Sequence, residues 1–293
     1  MPEFPDVTIY VECLRTRIRG EVLEKIRLAS PFVLRSVDPP IHEAEGKTIL
    51  DFRRIGKQIV WQLDGDLFLV FHLMIAGRFH WKKSGAKVSG KIGLAAFDFP
   101  HGTLLFTEAS SKKRASLHLV KGESSLAQLN KGGVEVFDCS FEEFDRSLRS
   151  ENHTLKRALT DPHLFSAIGN AYSDEILHRA KLSPLALTQK LSDEHAKTLF
   201  RSTREILTEW TDRLRAQSGA EFPEKVTAFH DEMAVHGKFG KVCPVCGVKV
   251  QRIVYAENEC NYCPKCQTGG KMLADRSLSR LLKDDWPKTI DEL

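Results

Sequence analysis

The chain has 293 residues, of which 42% are hydrophobic and 28% are charged, with only 12 prolines and 19 glycines. This balance is typical of a globular protein with one large domain or, as we expect, two or three smaller ones, and it excludes a fibrous or largely disordered chain. The formal net charge of +4 is too small to identify a polyanionic partner by itself.

The sequence predicts no membrane span and no secretory signal. The longest apolar run, Leu67 to Ile75, is interrupted by His72 and is far shorter than the ~20 residues that a membrane helix requires. The first residues include the acidic Glu3 and Asp6 instead of a basic stretch followed by an apolar core. We therefore expect a cytoplasmic, nucleoid-associated protein with no membrane partner.

Residues 1–130 are rich in short apolar or alternating runs with many β-branched and aromatic residues, which is typical of β-strands. The predicted strands are Val22–Leu28, Thr48–Phe52, Gln58–Leu63 and Leu67–Ile75. A helix from Asp6 to Arg17 precedes them, since Pro5 and Asp6 suit a helix start. The pattern predicts a β-sandwich with one helix over residues 1–130.

After the pair Gly132-Gly133 the pattern changes from strands to helices. The predicted helices are Phe141–Arg149, Leu155–Leu159, Asp174–Ala180 and Asp193–Ala216. Turns that contain proline, glycine or asparagine separate them, because these residues stop helices. We expect a linker and a helical domain over residues 131–240, so the predicted fold class is α+β.

A basic segment lies between Arg78 and Gly122, where nine lysines and arginines accompany only two acidic residues. The local excess of seven positive charges is compatible with a solvated surface of strands and loops, and also with binding to phosphates. The segment alone does not distinguish the two interpretations.

Five of the seven cysteines fall within 24 residues near the C-terminus. Cys243 and Cys246 enclose two residues, and Cys263 and Cys266 repeat this spacing after sixteen residues. Two such knuckles direct four thiolates to one tetrahedral Zn²⁺, and a closed four-thiolate site is structural because it has no position for water. The spacing therefore predicts a zinc ribbon over residues 241–270 with one structural Zn²⁺.

Cys260 leaves the ligand set open, because Cys260 and Cys263 have the same spacing as a knuckle. We favour Cys263 with Cys266, since a proline then follows the first cysteine of both knuckles. Unrelated free thiols are the remaining alternative.

The chain begins Met1-Pro2-Glu3, and removal of Met1 before the small Pro2 would expose a secondary amine. An α-amino group has a pKa of about 8, so more of it is neutral and nucleophilic at pH 7 than of a lysine side chain. Attack of this amine on a sugar C1′ would give an iminium, and Glu3 could move the protons that expel the base. Met-Pro is also an ordinary N-terminus, and the sequence does not show whether Met1 is removed.

The opening Met1–Val7 and four later motifs resemble the formamidopyrimidine-DNA glycosylase and endonuclease VIII family of bifunctional base-excision enzymes. The first two are Arg53–Lys57, with the sequence Arg-Arg-Ile-Gly-Lys, and His72–Gly77. Ile168–Leu177 resembles the family's helix-two-turn-helix signature, and Tyr262–Gln267 resembles the end of its zinc ribbon. The resemblance spans residue 1 to about residue 267, and it implies a helix-two-turn-helix within the helical domain.

The resemblance also implies roles for individual residues. Pro2 matches the family's nucleophile, Glu3 its proton-transfer carboxylate and Lys57 the lysine that assists catalysis. Lys156 and Asn170 match residues that contact backbone phosphates, which would position DNA rather than react with it. Without the family, the two lysines are ordinary surface residues and Asn170 is a turn former.

Two departures from the family pattern concern charged contacts to DNA. Asp6 stands where the family usually has glutamate, close to the lesion nucleoside. Asn258 occupies the position of the family's zinc-finger arginine, which Arg252 or Lys265 would have to replace. Loss of this charge-assisted phosphate contact would cost roughly 1–2 kcal/mol of binding free energy.

Other departures concern the side chains that enter the DNA stack. In the motif that His72 opens, Ile75 is in register with the family's methionine and Met74 just precedes it, so either residue could be the apolar wedge. The family's Asp-Pro-Arg-Arg-Phe loop is absent, and Arg114 is the residue of that region that could insert. We expect the DNA-binding residues to include Asp6, His72, Met74, Ile75 and Arg114. We also expect a substrate that is closer to that of endonuclease VIII, or an atypical one.

The predicted function is that of a base-excision-repair DNA glycosylase and abasic-site lyase. It would act as a monomer on double-stranded DNA that contains a damaged base, expected to be oxidised, or an abasic site. It would evert the nucleotide, attack C1′ through the Pro2 amine and cleave the strand by β,δ-elimination. A non-catalytic DNA-binding protein on the same fold and a zinc-ribbon interaction protein without DNA affinity are the alternatives. The lesion, the opposite-base preference and the role of the C-terminal extension, residues 271–293, stay open.

Overall fold

The computed structural model describes residues 1–88, 90–219, 221–224, 226–255, 258–283 and 286–292. The predicted α+β class is confirmed, with antiparallel sheets in the N-terminal part and mainly helices after them. The chain forms two compact units, the first made of residues 1–131 and 210–227 and the second of residues 132–209 and 228–293. Among the described helices, none has both the length and the apolarity that a bilayer span requires.

Helix α1, Phe4–Ile18, opens the first unit. Glu3 and Asp6 form a capping box at its start, in which the Glu3 backbone N–H donates to Asp6 Oδ2 at 2.8 Å. The helix therefore begins two residues before the predicted start at Asp6. On its buried face, the Tyr10 ring lies 5.4 Å from that of Phe79.

Two antiparallel sheets follow in the described part of the first unit. In spatial order, one contains β1 (Val22–Leu23), β3 (Lys47–Ile55), β4 (Gln58–Leu63), β5 (Leu67–His72) and β9 (Ser116–Lys121). The other contains β2 (Lys25–Leu28), β7 (Gly93–Phe99), β8 (Gly102–Glu108) and β6 (Gly77–Lys82).

The two sheets share one aromatic core, as a β-sandwich requires. The Trp61 ring on β4 lies 5.3 Å from the Phe97 ring on β7. The Phe71 ring on β5 lies 5.8 Å from the Phe106 ring on β8. Because all four side chains are fully buried, their packing fixes one sheet against the other.

The segment Val22–Leu28, predicted as one strand, forms two strands in different sheets. β1 pairs with β3, whereas β2 pairs with β7. Between them, the backbone N–H of Glu24 donates to Asp98 O at 2.9 Å. The sequence pattern did not reveal this change of sheet, because both halves contribute apolar residues to the same core.

Residues 210–227 lie in the first unit, although their sequence position had placed them with the helical domain. Phe222 and Val226 are buried in the core of the sandwich. Glu224 accepts from Lys82 Nζ at 2.9 Å and lies 2.6 Å from His80 Nδ1. These contacts hold the segment against the second sheet.

Helices dominate the first part of the second unit. They are α3 (Phe141–Arg149), α4 (Leu155–Thr160), α5 (Asn170–Arg179) and most of α6 (Asp193–Ser218), whereas the short α2 (Glu123–Ala127) belongs to the first unit. Helix α3 has the predicted bounds. Helix α5 begins four residues before the predicted start, because Gly169 is its N-cap and Ser173 Oγ donates to Gly169 O at 2.6 Å.

The C-terminal part of the second unit contains the hairpin of the ribbon and the extension. The hairpin pairs β10 (Gln251–Tyr255) with β11 (Asn258–Tyr262), and α7 (Pro264–Thr268) and α8 (Arg276–Leu282) follow. The extension packs on the hairpin, since Leu273 N–H donates to Tyr262 Oη at 2.8 Å and Val254 N–H donates to Asp275 Oδ2 at 2.6 Å.

Candidate functional site

The start of the chain is buried and lies among charged side chains of the first unit. Pro2 and Glu3 are both buried. Burial lowers the pKa of the Met1 α-amino group, the Glu3 and Asp6 carboxylates oppose this shift, and Arg78 and Lys57 reinforce it. The structure therefore brings Glu3, Asp6 and Lys57 within electrostatic reach of the chain start, whereas Arg78 was not singled out from the sequence.

Lys57 lies in the two-residue turn between β3 and β4, where Gly56 has a φ of +56°. Arg54, on the last part of β3, donates through Nη1 to Gly56 O at 2.9 Å. Its guanidinium carbon also lies 4.7 Å from the centre of the Phe4 ring in the first turn of α1. Arg54 thus links the start of α1 to the turn that carries Lys57. The sequence could have suggested this role, because Arg54 precedes Lys57 by only three residues.

His72 is the last residue of β5 and faces Gln58 and Ser116 on the neighbouring strands. Burial lowers the pKa of His72 to about 4, and the positive charges of Lys57 and His118 act in the same direction. The imidazole is therefore neutral at pH 7, and it contributes a polar group rather than a charge beside Lys57.

The turn between β5 and β6 presents Ile75, whose side chain is 56% exposed. Met74 is only half-buried and takes a left-handed conformation with a φ of +52°. Arg78 Nη1 donates to Gly77 O at 2.6 Å, and a Cβ on Gly77 would lie 2.1 Å from Leu73 O. A glycine and an arginine therefore shape the turn so that Ile75 is its exposed apolar residue.

Arg114 lies in the exposed loop between β8 and β9. The buried carboxylate of Glu108 accepts from the backbone N–H groups of Arg114 at 3.0 Å and of Ala115 at 3.1 Å. Lys113 Nζ donates to the Glu108 carbonyl as well. Glu108 thus supports a loop with an exposed positive charge. It is one of only two acidic residues in the basic segment, and this feature of the sequence could have indicated its role.

The side chain of Lys156, in α4, reaches the first turn of α5, which begins at Asn170. Lys156 Nζ donates to Asn170 O at 2.6 Å, to Ser173 Oγ at 2.8 Å and to Asp174 Oδ1 at 2.5 Å. Asn170 Nδ2 donates to Glu259 O of β11 at 2.9 Å. Both side chains predicted to contact phosphates are therefore engaged within the second unit.

Asp174 is the centre of this buried cluster. His236 Nδ1 lies 2.8 Å from Asp174 Oδ2, and Asn261 N–H donates to the same oxygen at 3.1 Å. Burial opposes ionisation of Asp174, but Lys156 and His236 outweigh it and hold the pKa of the carboxyl below its usual value. The cluster is an ionised network that joins α4, α5 and β11.

The four cysteines of the two knuckles come together in the second unit. Their Sγ atoms lie within 4.8 Å of one another, with 4.0 Å between Cys243 and Cys266 and 3.3 Å between Cys246 and Cys263. Tetrahedral zinc with Zn–S distances of ~2.3 Å separates its sulfurs by about 3.8 Å, so the arrangement fits this ion. The buried Cys260 lies opposite Ile253 in the hairpin and is not part of the cluster.

Asn258 is exposed at the start of β11, where it faces Tyr255. Arg252 Nη1 lies 3.2 Å from Glu259 Oε2, and its guanidinium carbon lies 4.3 Å from the Phe239 ring centre. Lys265, in α7, is exposed. Both proposed substitutes for the family arginine, Arg252 and Lys265, have exposed side chains, and the side chain of Arg252 pairs with Glu259.

Comparison with known proteins agrees with the sequence motifs. The family model "Formamidopyrimidine-DNA glycosylase N-terminal domain" matches residues 1–115, and the model "Formamidopyrimidine-DNA glycosylase H2TH domain" matches residues 134–217. A formamidopyrimidine-DNA glycosylase of Lactobacillus helveticus is 30% identical over 91% of this chain and 99% of its own length. The chain belongs to the formamidopyrimidine-DNA glycosylase family. The predicted family is thereby confirmed.

Further relatives and solved structures show the same extent of similarity. A formamidopyrimidine-DNA glycosylase of Thermus thermophilus is 31% identical over 92% of this chain and 100% of its own length. A solved complex of Lactococcus lactis Fpg with DNA containing an abasic site has a TM-score of 0.81 and 27% identity, and covers 91% of this chain and 99% of that chain. A Lactococcus lactis complex with Fapy-dG containing DNA has the same TM-score and identity, and covers 91% of this chain and 100% of that chain.

Proposed function

We propose that this family member is a base-excision-repair DNA glycosylase that also has abasic-site lyase activity. One observation carries the proposal: the buried chain start lies within electrostatic reach of Glu3 and Lys57, the residues that match the family's catalytic carboxylate and lysine. The substrate is duplex DNA with a damaged base or an abasic site, because the structural neighbours are complexes with such DNA. An oxidised base is the proposed lesion.

The proposed reaction begins at the amine that Pro2 has once Met1 is removed. Burial and the positive charges of Arg78 and Lys57 lower the pKa of the Met1 α-amino group, and we expect the same surroundings to keep a larger fraction of the Pro2 amine neutral at pH 7. The nitrogen forms a bond to C1′ while the bond between C1′ and the base breaks, and Glu3 supplies the proton that the leaving base requires. The attached nitrogen then loses its proton, and the C1′–O4′ bond breaks while O4′ takes up a proton that Glu3 relays. The product is an iminium between the protein and the opened sugar.

The iminium then permits strand cleavage. It acts as an electron sink, so loss of a proton from C2′ expels the 3′ phosphate by β-elimination, and a second proton loss expels the 5′ phosphate by δ-elimination. Water releases the sugar fragment from the amine. Lys57, beside the same amine, keeps positive charge near the reacting phosphates.

Other residues would hold the DNA in place. Ile75 is the proposed apolar wedge, because it is the exposed residue of its turn and Met74 is not. Arg114 would contact the DNA from the exposed loop between β8 and β9. Asn170 and Lys156 would act through the N-terminus of the ten-residue helix α5, where backbone N–H groups favour a phosphate.

Cys243, Cys246, Cys263 and Cys266 would hold one structural Zn²⁺. A closed four-thiolate ion shapes the ribbon and leaves the base-excision reaction to other residues. Burial raises the pKa of Cys266 to about 11, so we expect proton release when zinc binds to these thiols.

Product analysis tests the proposed activity. On duplexes with oxidised bases or an abasic site, the zinc-loaded enzyme should leave a one-nucleotide gap with phosphate at both ends. Glu3→Gln should lose base excision but still bind the DNA, because the amide keeps the shape of the side chain and not its proton. Salt-dependent binding without cleavage of any of these duplexes would instead support the non-catalytic DNA-binding protein.

A further inference from the structure

Helix α5 presents a row of polar side chains to the ribbon. Asn170, Asp174 and His178 are spaced by four residues, so they lie on one face of the helix. Their ribbon partners are Glu259 O at 2.9 Å from Asn170 Nδ2, Asn261 N at 3.1 Å from Asp174 Oδ2 and Cys243 Sγ at 3.3 Å from His178 Nε2. Each turn of the helix thus makes a polar contact with the ribbon.

The contact at the end of this row reaches a predicted zinc ligand. His178 is 6% exposed and Cys243 is 2% exposed, so the contact is shielded from water. A thiolate that binds zinc has no proton and can only accept a hydrogen bond. The imidazole must therefore carry a proton on Nε2 to satisfy this contact.

We propose that His178 is a positioning residue of the metal centre: its Nε2–H donates to the Cys243 thiolate and couples zinc binding to the placement of α5. This inference concerns the ribbon and does not depend on the proposed enzymatic activity.

The charge of the site gives this hydrogen bond its importance. Four thiolates and one Zn²⁺ carry a net charge of −2, which is costly to bury unless donors surround the sulfurs. Cys266 N–H donates to Cys263 Sγ at 3.5 Å, and this donor belongs to the same knuckle as its acceptor. The donor to Cys243 comes instead from a helix 65 residues earlier in the sequence. The hydrogen bond thus stabilises the zinc–thiolate centre and also fixes the position of the ribbon relative to α5.

Two variants of His178 and one control separate this role from ordinary packing. His178→Phe removes the donor and keeps a ring, whereas His178→Gln keeps an N–H close to the position of Nε2. His153→Phe is the control, since His153 is a mostly buried histidine of the same unit whose Nε2 lies 2.6 Å from Glu151 Oε2.

We expect His178→Phe to release zinc to a chromogenic chelator at least about tenfold faster than the wild type, with an intermediate rate for His178→Gln. In the Co²⁺-substituted full-length protein, the thiolate-to-metal charge-transfer band should shift in His178→Phe and stay in place in His153→Phe. Equal zinc release and an unchanged band in His178→Phe would overturn the proposal.

A measurement on the unmodified protein covers the case in which His178→Phe does not fold. The ¹⁵N resonances of the His178 ring in the zinc-loaded protein should show a protonated Nε2 and an unprotonated Nδ1. The opposite tautomer would overturn the proposal, because such a ring could not donate to Cys243.

Discussion

Arg54 connects the first turn of α1 with the turn that carries Lys57. It stacks on Phe4 and donates to Gly56 O, and both contacts use the planar guanidinium. Arg54→Lys should therefore lower the single-turnover rate of abasic-strand cleavage roughly tenfold, because Lys57 is held less firmly in place. The dissociation constant for the same DNA should change little.

Arg53→Lys is the matched control for this prediction. Arg53 lies on the same strand, but it donates to Glu123 at 2.5 Å and its guanidinium carbon lies 5.1 Å from the Phe68 ring centre. Its replacement should leave the cleavage rate within about twofold of the wild type. An equal loss in both variants would show that Arg54 has no particular link to Lys57.

Lys57 contributes to the pH dependence that we expect of the proposed nucleophile. Burial lowers the pKa of the Met1 α-amino group and Lys57 reinforces this shift, so we expect the neutral Pro2 amine to be present at a lower pH than for a free chain end. Lys57→Met removes one positive charge, which raises the pKa of the amine and should move the rising limb of the pH profile of Schiff-base formation to higher pH. A shift to lower pH, or none, would contradict this assignment.

The sequence predicts site residues that lie within contiguous motifs, whereas it did not indicate residues that act through the backbone. Pro2, Glu3 and Lys57 belong to short motifs that the resemblance covers. Arg78 and Glu108 act by holding backbone groups of turns, and such contacts form only when the strands are paired.

Among the elements, the turn between β5 and β6 carries the proposed wedge. Ile75→Ala removes most of its exposed apolar surface, and unstacking a base pair costs a few kcal/mol. We expect roughly tenfold slower excision, together with a weaker fluorescence change from a 2-aminopurine placed beside the lesion. Met74→Ala should have a smaller effect on both signals, and the reverse order would assign the wedge to Met74.

Helix α5 depends on the charge of Asp174. Its carboxylate is fully buried against Lys156, and Asp174→Asn leaves that lysine without its anionic partner. We expect a loss of about 3 kcal/mol in the free energy of unfolding of the second unit. Because the pKa of Asp174 lies below its usual value, this contribution is present at neutral pH and is lost as the pH falls through the lowered pKa.

Asp145→Asn provides the comparison in urea unfolding at pH 7. Asp145 pairs with Arg149 at 2.8 Å, but both side chains are 25% exposed. Its loss should cost less than about 1 kcal/mol. If Asp174→Asn proved no more harmful than Asp145→Asn, the buried network would not stabilise α5.

The bounds of helices and strands were predicted correctly where local capping residues and the apolar pattern indicate the same bounds. They were predicted wrongly where tertiary contacts determine where an element begins or which sheet it joins. Helix α3 has its predicted bounds because Ser140 and Glu143 form a capping box. Gly169 and Asn170 suggested a turn, yet they start α5, since Lys156 and β11 engage its first turn. The division of Val22–Leu28 between two sheets depends on partner strands that are distant in the sequence.

At the scale of the whole molecule, the sequence predicted the family and the fold class. It did not indicate that each compact unit consists of two separate stretches of the chain. Residues 210–227 join the first unit because Phe222 lies 5.9 Å from Tyr10 of α1, ring centre to ring centre. A pairing across two hundred residues leaves no local pattern in the sequence. The predicted domain boundaries stay a prediction.

The most direct measurement is borohydride trapping on abasic duplex DNA, followed by peptide mapping of the adduct. The protein, isolated from cells without an N-terminal tag, should lack Met1 and carry the reduced sugar on the nitrogen of Pro2. An adduct confined to lysine-containing internal peptides, or efficient strand cleavage by protein that retains Met1, would contradict an amine nucleophile at residue 2.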